Sequence, residues 1–168
     1  MRKLTFGFIG IGLIGGSIAK AIRRVLPEST IIVYNRRESS RTLALNDGTA
    51  NIATDKVDST FSQCDYIFLC TPVEKNVEYL KILKDIIKDD CIITDVGSVK
   101  GNIHKAVEEL GLEKNFIGGH PMAGSEKTSY TYANDRLVEN AYYAITPTDA
   151  VSKERVEEFT EIVKGIGA

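Results

Sequence analysis

A glycine-rich turn between a buried strand and a helix constrains the fold of this chain more than any other feature. Residues 4–9 form a short apolar run that is typical of a buried strand, and this run ends at Gly10. Beyond the turn, apolar residues recur at helical spacing over residues 14–25, and Pro27 follows the predicted helix. A strand that passes through glycines directly into a helix predicts a strand–helix–strand unit, which joins parallel strands.

The rest of the chain repeats this alternation of strands and helices. Further strands are predicted at 30–34, 65–70, 91–96, 115–117 and 142–146, and further helices at 37–46, 74–87, 99–110 and 152–164. Residues 121–140 read as a polar loop, and residues 165–168 read as the entry to another edge strand. Apolar strands without polar alternation are typical of a parallel sheet that is covered on both faces. We therefore expect one α/β domain over residues 1–168, doubly wound around a mainly parallel sheet.

Composition excludes several classes of protein. The 168 residues are 43% hydrophobic and carry a formal net charge of −2, which is typical of one globular domain. The predicted pI near 5.8 argues against a nucleic-acid partner. Three cysteines without CxxC spacing and only two histidines argue against a metal site and against a disulfide framework, and they favour the reducing cytoplasm.

The N-terminus imitates a secretion signal, because residues 1–3 are followed by an uncharged run over residues 4–19. Five glycines within that run weaken a hydrophobic signal helix, and no A-x-A-like cleavage site follows. The run is also shorter than the roughly 20 apolar residues that span a bilayer. We therefore expect no association with a membrane.

The turn itself reads Gly10-Ile11-Gly12-Leu13-Ile14-Gly15, which matches G-x-G-x-x-G in the strand-to-helix context that the pattern requires. Gly10 permits the tight turn, Gly12 lets the backbone approach a pyrophosphate, and Gly15 allows close packing of helix on strand. The amides of Leu13 and Ile14 would then face the phosphate charge from a helix N-terminus. The alternative is a turn that serves packing only. The context favours a Rossmann dinucleotide-binding domain.

The end of the second predicted strand bears on the choice of cofactor. An NAD site usually places Asp or Glu there to bind the ribose 2′-hydroxyl, whereas this chain has Asn35, followed by Arg36 and Arg37. Asn does not repel a 2′-phosphate, and Arg can hold one with two hydrogen bonds. The alternative is that both arginines are solvated residues at the start of a helix. The sequence favours NADP and leaves NAD possible.

Two further segments follow predicted strands at the edge of the sheet where ligands gather. The first is residues 94–100 (TDVGSVK), and the second is residues 118–126 (GGHPMAGSE), which contains His120 in a loop of small residues. From spacing alone, His120 fits a packing role as well as a catalytic one. The other histidine, His104, lies within the predicted helix 99–110, where we expect it to pack.

These segments resemble the prephenate dehydrogenase family, to which arogenate dehydrogenase is related. The resemblance covers essentially the whole chain and is carried by five segments: GFIGIGLIGGS (7–17), FLCTP (68–72), TDVGSVK (94–100), GGHPMAGSE (118–126) and ENAYYAITP (139–147). The main departure is Asn35, where many members of the family carry Asp. This departure bears on the preference for NAD and leaves the resemblance intact.

The resemblance implies an enzyme of tyrosine biosynthesis. Such an enzyme converts prephenate to 4-hydroxyphenylpyruvate by oxidative decarboxylation, with hydride transfer to NAD(P). By similarity His120 accepts the proton of the substrate hydroxyl, and Ser98 bonds the same hydroxyl or orients the imidazole. A neutral imidazole suits this role near neutral pH.

The matched segments contain further candidate site residues. By similarity Glu126 would lie at the entrance to the substrate site, although a solvated loop carboxylate is the alternative. Lys100 and Lys127 carry the positive charge that the substrate carboxylates need, but neither is clearly placed for both carboxylates. Thr71 and Pro72 would line the cofactor ribose, and their alternative is ordinary strand termination with Pro72 starting the next helix.

The family adds a helical C-terminal domain that supplies dimer contacts and much of the substrate pocket. We therefore expect residues 1–168 to bind NADP with negligible turnover, and the full-length protein to be a homodimer that acts on a small-molecule substrate. Arogenate dehydrogenase, another NADP-dependent reductase of similar fold, and a non-catalytic dinucleotide-binding module are the alternative functions.

Overall fold

The computed structural model describes residues 2–168 as a seven-stranded sheet flanked by helices. The strands are β1 (Thr5–Ile9), β2 (Thr30–Tyr34), β3 (Ile52–Thr54), β4 (Tyr66–Leu69), β5 (Ile92–Asp95), β6 (Phe116–Pro121) and β7 (Tyr143–Pro147). The helices are α1 (Leu13–Val25), α2 (Glu38–Asn46), α3 (Val73–Leu83), α4 (Gly101–Leu110) and α5 (Lys153–Gly165).

The order of strands across the sheet is β3-β2-β1-β4-β5-β6-β7. All neighbours pair in parallel except β6 and β7, which are antiparallel. The direction of winding reverses between β1 and β4, and ligands of such sheets bind in the crevice that this reversal opens at the carboxyl ends of the strands. The prediction of a doubly wound, mainly parallel sheet is confirmed.

Each face of the sheet buries its own apolar core. One core joins α1 and α5 to the sheet through side chains such as Ile18, Ile22 and Phe159. The other joins α3 and α4 to the opposite face through Leu80 and Ile103 among others. Helices on both faces explain why the central strands are apolar throughout, because neither face of a strand meets water.

Two differences from the predicted strands concern the edges of the sheet. The short edge strand β3 was not predicted, because three residues are too few to show a pattern of alternation. Strand β6 extends to Pro121, so His120 lies in a strand and not in a loop. Glycine and proline argue against a strand in the sequence, but β7 pairs with β6 as far as Pro121 and overrides that preference.

Three helix boundaries also differ. Helix α3 ends at Leu83, because bonds such as Asp85 N–H to the Ile82 carbonyl tighten the last predicted turn. Helix α4 begins at Gly101, which leaves residues 96–100 as a loop after β5. The predicted edge strand at 165–168 is wrong: α5 includes Gly165, and Ile166 caps it and is buried in the core.

Within residues 2–168, no helix combines the length and apolarity needed to cross a membrane.

Candidate functional site

The glycine-rich turn connects β1 to α1 at the carboxyl edge of the sheet. Gly10 has φ +92°, a conformation that a side chain would strain. A Cβ atom on Gly15 would lie 2.4 Å from the Gly10 carbonyl oxygen, so only glycine allows α1 to pack this closely on the turn. A Cβ atom on Gly12, in contrast, would meet no atom within 4 Å. Gly10 and Gly15 therefore serve the backbone, whereas Gly12 borders open space.

That open space suits an anion. Helix α1 begins at Leu13, and no acidic residue lies in its first turn. The first amides of a helix lack intrahelical acceptors, and the helix dipole favours negative charge beside them. The amides of Leu13 and Ile14, next to the uncovered backbone of Gly12, therefore fit the pyrophosphate of a dinucleotide.

The end of β2 forms a cavity beside this turn. The cavity has a volume of about 250 Å³ and is lined by residues from three segments: Ile11, Gly12, Asn35, Arg36, Arg37, Ser40, Thr128, Ser129 and Tyr130. The Asn35 side-chain oxygen accepts a hydrogen bond from the Ile11 amide at 3.2 Å, which ties the end of β2 to the glycine turn. Arg36 and Arg37 are exposed at the rim. The three residues after β2 that were predicted to bind the cofactor thus lie together.

Thr128, Ser129 and Tyr130 line this cavity and were not predicted as site residues. They belong to the loop after β6, which returns across α1: Tyr130 packs against Gly16, and a Cβ atom on Gly124 would lie 3.9 Å from Ile14 Cδ1. Ser129 has φ +80°, an unusual conformation for a residue other than glycine, and such residues cluster at ligand sites. No local pattern in the sequence identifies this return of the loop.

The end of β4 lies next to the glycine turn. The Thr71 hydroxyl donates to the side-chain oxygen of the buried Asn76 at 2.5 Å, and a Cβ atom on Gly10 would lie 2.7 Å from Thr71 Cγ2. Pro72 is the N-cap of α3, as expected of a residue that starts a helix. Thr71 therefore lies beside the crevice, with its hydroxyl proton committed to Asn76.

A buried thiol also lies under the turn. Cys70 Sγ would be 3.1 Å from a Cβ atom on Gly15. Burial, and to a smaller extent the negative charge of Asp95, raise the pKa of the Cys70 thiol. Cys70 is therefore a packing residue in its neutral form and not a nucleophile.

The ends of β5 and β6 bring Ser98 and His120 to the same corner of the sheet. Ser98 is exposed in the loop after β5, and His120 is partly buried near the end of β6. The fully buried carboxylate of Asp95 connects the two segments, because it accepts hydrogen bonds from the amides of Gly97 and Gly119. This corner adjoins the end of β4, so it lies on the same edge of the sheet as the glycine turn.

Lys100 has a different environment from the one expected of a partner for the substrate carboxylates. Its ammonium donates to Asp95 Oδ2, to the Gly97 carbonyl and to the Gly119 carbonyl, each at 2.5 Å. An ammonium has three N–H groups, so none is left for a substrate carboxylate in this arrangement. Glu126 is exposed in the loop after β6, the position of a solvated carboxylate.

The second histidine, His104, lies in α4 against β6, where its Nε2 atom would be 2.9 Å from a Cβ atom on Gly118. Its ring packs edge-on against Phe116, with ring centroids 5.3 Å apart, as predicted for a packing residue.

The fold and the edge site define the class of protein. A doubly wound sheet with its G-x-G-x-x-G turn at the reversal point, opening into a helix without a first-turn acid, is a dinucleotide-binding α/β domain. Comparison with known proteins makes this specific. The chain belongs to the family described as prephenate dehydrogenase, nucleotide-binding domain, whose model matches residues 18–168.

Individual relatives agree with this family. The chain is 36% identical to the prephenate dehydrogenase of Bacillus subtilis over an alignment of 168 positions, which covers 99% of this chain and 45% of that protein. A crystal structure of prephenate dehydrogenase from A. aeolicus with hydroxyphenyl propionate and NAD+ superposes with a TM-score of 0.91 at 32% identity, covering 99% of this chain and 58% of that one. The crystal structure of Synechocystis arogenate dehydrogenase superposes with a TM-score of 0.90 at 31% sequence identity. This match covers 98% of this chain and 58% of that one. The chain thus spans about half the length of these relatives.

Proposed function

We propose that this chain is the cofactor-binding half of an NADP-dependent prephenate dehydrogenase. The observation that carries the proposal is the arrangement of two sites on one edge of the sheet. The anion site at Gly12 and the corner that holds Ser98 and His120 are connected by the loop after β6, which runs across α1. The proposal is supported by the similarity to prephenate dehydrogenases over 99% of the chain.

The proposed reaction balances without a further reactant. The carbinol carbon of prephenate loses a hydride and its hydroxyl loses a proton, so a carbonyl group forms. The bond from the ring to its carboxylate then breaks, CO2 leaves, and the electron pair of that bond makes the ring aromatic. The nicotinamide supplies the acceptor for the hydride when it is bound.

Two residues of this chain would handle the proton. His120 would accept the proton of the hydroxyl and return it to the phenolate oxygen of the product. Ser98 would donate to or accept from the same oxygen and so fix its direction relative to the imidazole. Ser98 follows Gly97 and His120 follows Gly119, and the amides of both glycines donate hydrogen bonds to Asp95.

The preference for NADP is supported by the cavity at the end of β2. Its rim carries Arg36 and Arg37, while Asn35 provides a neutral amide where a carboxylate would repel a 2′-phosphate. The hydroxyls of Thr128 and Ser129 line the same cavity and can donate to a phosphate oxygen.

The substrate carboxylates need cationic partners, and Lys100 has none of its N–H groups free for them. We infer that residues outside this chain complete the substrate site, in keeping with the greater length of the relatives. A helical second domain and a homodimer stay predictions. Arogenate is the second candidate substrate, because the chain is 31% identical to an arogenate dehydrogenase over a closely similar fold.

The test is a steady-state assay of the full-length protein with each combination of prephenate or arogenate and NADP or NAD. We expect the highest kcat/KM for prephenate with NADP, with 4-hydroxyphenylpyruvate and CO2 formed in equal amounts. A higher kcat/KM for arogenate would favour the second candidate. Binding of NADP without turnover of either substrate would indicate a non-catalytic module instead.

A further inference from the structure

The regular pairing of β5 with β6 stops before the corner that holds Ser98 and His120. The two strands pair at Ile93 with Phe116 and at Thr94 with Ile117, whereas β6 continues to Pro121 paired with β7 alone. Beyond Thr94, side chains replace the backbone bonds between the two strands. Gly119 is bonded on this side through its amide to Asp95 and through its carbonyl to Lys100.

The bonds of Asp95 and Lys100 form a symmetrical arrangement around two glycines. Asp95 Oδ2 accepts from the Gly97 amide at 3.2 Å, and Asp95 Oδ1 accepts from the Gly119 amide at 3.1 Å. The Lys100 ammonium donates to the carbonyls of the same two glycines and to Asp95 itself. Both peptide groups of each glycine are therefore held by one ion pair.

The backbone at Gly119 and the side chains of Asp95 and Lys100 are closely packed. A Cβ atom on Gly119 would lie 2.7 Å from the Asp95 carbonyl oxygen, so the strands approach as closely here as glycine permits. The Asp95 carboxylate is fully buried, and the Lys100 side chain is 19% exposed. Breaking a buried pair leaves one charge without a partner, which makes this arrangement resistant to distortion.

The glycines that are held are the neighbours of the two residues with proposed chemical roles, since Gly97 precedes Ser98 and Gly119 precedes His120. We propose that Asp95 and Lys100 are positioning residues, which hold the backbone of Ser98 and His120 in one fixed relation. This inference rests on the proposed function for its kinetic consequence, and it replaces the role of Lys100 as a partner of the substrate carboxylates.

The kinetic test uses Lys100→Met in the full-length protein, because Met keeps the volume and removes the charge. Misplaced catalytic groups lower kcat, so we expect kcat to fall by about 10–100-fold. The KM for prephenate and the Kd for NADP should change by less than about threefold. A large rise in KM with unchanged kcat would show that Lys100 binds substrate and would overturn the proposal.

Lys88→Met is the matched control. Lys88 donates to Asp65, a carboxylate that is 5% exposed, at 2.7 Å, and Arg2 also pairs with Asp65. This buried carboxylate lies before β4 at the opposite edge of the sheet, so Lys88→Met removes a cation from a similar environment while Asp65 keeps Arg2. Both variants should lower the melting temperature, while Lys88→Met keeps the wild-type kcat. Equal loss of kcat in both variants would show a general effect of stability and would contradict positioning.

Lys100→Met leaves the buried charge of Asp95 without a partner, and this could unfold the protein. The double variant Asp95→Asn/Lys100→Met removes both charges and so avoids an unpaired buried charge. The pair acts as a unit, so the double variant should lose about as much kcat as Lys100→Met alone. A double variant with wild-type kcat would overturn the proposal.

A measurement without turnover separates this inference from the proposed function. Hydrogen exchange of the Gly97 amide or of the Gly119 amide should be at least about tenfold faster in Asp95→Asn, because an amide side chain accepts only at its oxygen and one of the two amides therefore loses its acceptor. If exchange is faster in a protein that turns over neither substrate, the role of Asp95 and Lys100 in holding the backbone is supported and only the proposed function is contradicted. Unchanged exchange at both glycines would overturn the proposal that Asp95 and Lys100 hold this backbone.

Discussion

Two regions at the carboxyl edge of the sheet, the glycine turn after β1 and the corner at the ends of β5 and β6, fix their backbones in different ways. At the end of β1 the backbone is shaped by absent side chains, because Gly10 needs its positive φ and Gly15 has no space for a Cβ atom. At the ends of β5 and β6 the backbone is held by charged side chains, since Asp95 and Lys100 bond both peptide groups of two glycines. A corner without charges of its own leaves the helix dipole free for an anionic ligand. A corner fixed by an ion pair suits groups that must keep one geometry during a reaction.

This contrast predicts that substitutions in the two regions change different properties: kcat at the corner of β5 and β6, and stability or cofactor affinity at the glycine turn. The largest effect is expected for His120→Asn in the full-length protein, where kcat should fall by about 10²–10⁴ through loss of the proton acceptor. The Kd for NADP, measured by quenching of protein fluorescence or by calorimetry, should barely change. The control His104→Asn removes the other histidine, which packs on Phe116, and should keep kcat within about threefold. An unchanged kcat for His120→Asn would exclude His120 from the reaction.

The next effect concerns stability at the glycine corner. Gly15→Ala places a Cβ atom 2.4 Å from the Gly10 carbonyl oxygen, and the backbone cannot move aside as a flexible side chain would. We expect the free energy of unfolding to fall by about 1–3 kcal/mol in urea denaturation, after any gain in helix propensity. Stability equal to or above that of the wild type would show that α1 does not need this close approach.

Local backbone requirements could be predicted from the sequence, whereas contacts between distant residues could not. The roles of Gly10 and Gly15 follow from a turn of six residues, and the structure shows the expected positive φ at Gly10 and close packing at Gly15. The role of Gly12 toward a pyrophosphate stays a prediction. The bond between Asp95 and Gly119 joins residues 24 positions apart, and no spacing rule identifies it. Lys100 illustrates the consequence, because its charge suggested a ligand while its acceptors lie within the protein.

The loop after β6 shows the same limit in the cofactor cavity. Residues 121–140 read as polar and without periodicity, yet Tyr130 from this loop packs on Gly16 of α1 and its hydroxyl donates to Asp47 at 2.7 Å. These contacts place Thr128 and Ser129 at the end of β2. The fold of such a loop depends on tertiary packing, which local patterns do not encode.

A smaller and more selective effect is expected at the rim of this cavity. Arg36→Ala should weaken binding of NADP by about 1–3 kcal/mol through loss of a charge-assisted hydrogen bond, and should leave the Kd for NAD nearly unchanged. Calorimetric titration with both cofactors measures this. Arg136→Ala is the surface control, because the exposed Arg136 side chain pairs with Glu139. Equal affinities for the two cofactors, before and after the change at Arg36, would contradict the preference for NADP.

The most direct test of the dinucleotide site is a calorimetric titration of the wild-type protein and of Gly12→Ala with NADP. A Cβ atom on Gly12 would meet no atom within 4 Å, whereas the ψ of −147° lies outside the regions that alanine favours, so the melting temperature should fall only slightly. The same Cβ atom would enter the space assigned to the pyrophosphate, so the Kd should rise by about tenfold or more, which is about 1.4 kcal/mol. Weaker binding in a protein that stays folded is the predicted result. Failure of the wild type to bind NADP or NAD, or an unchanged Kd in Gly12→Ala, would contradict the assignment of the glycine turn as the cofactor site.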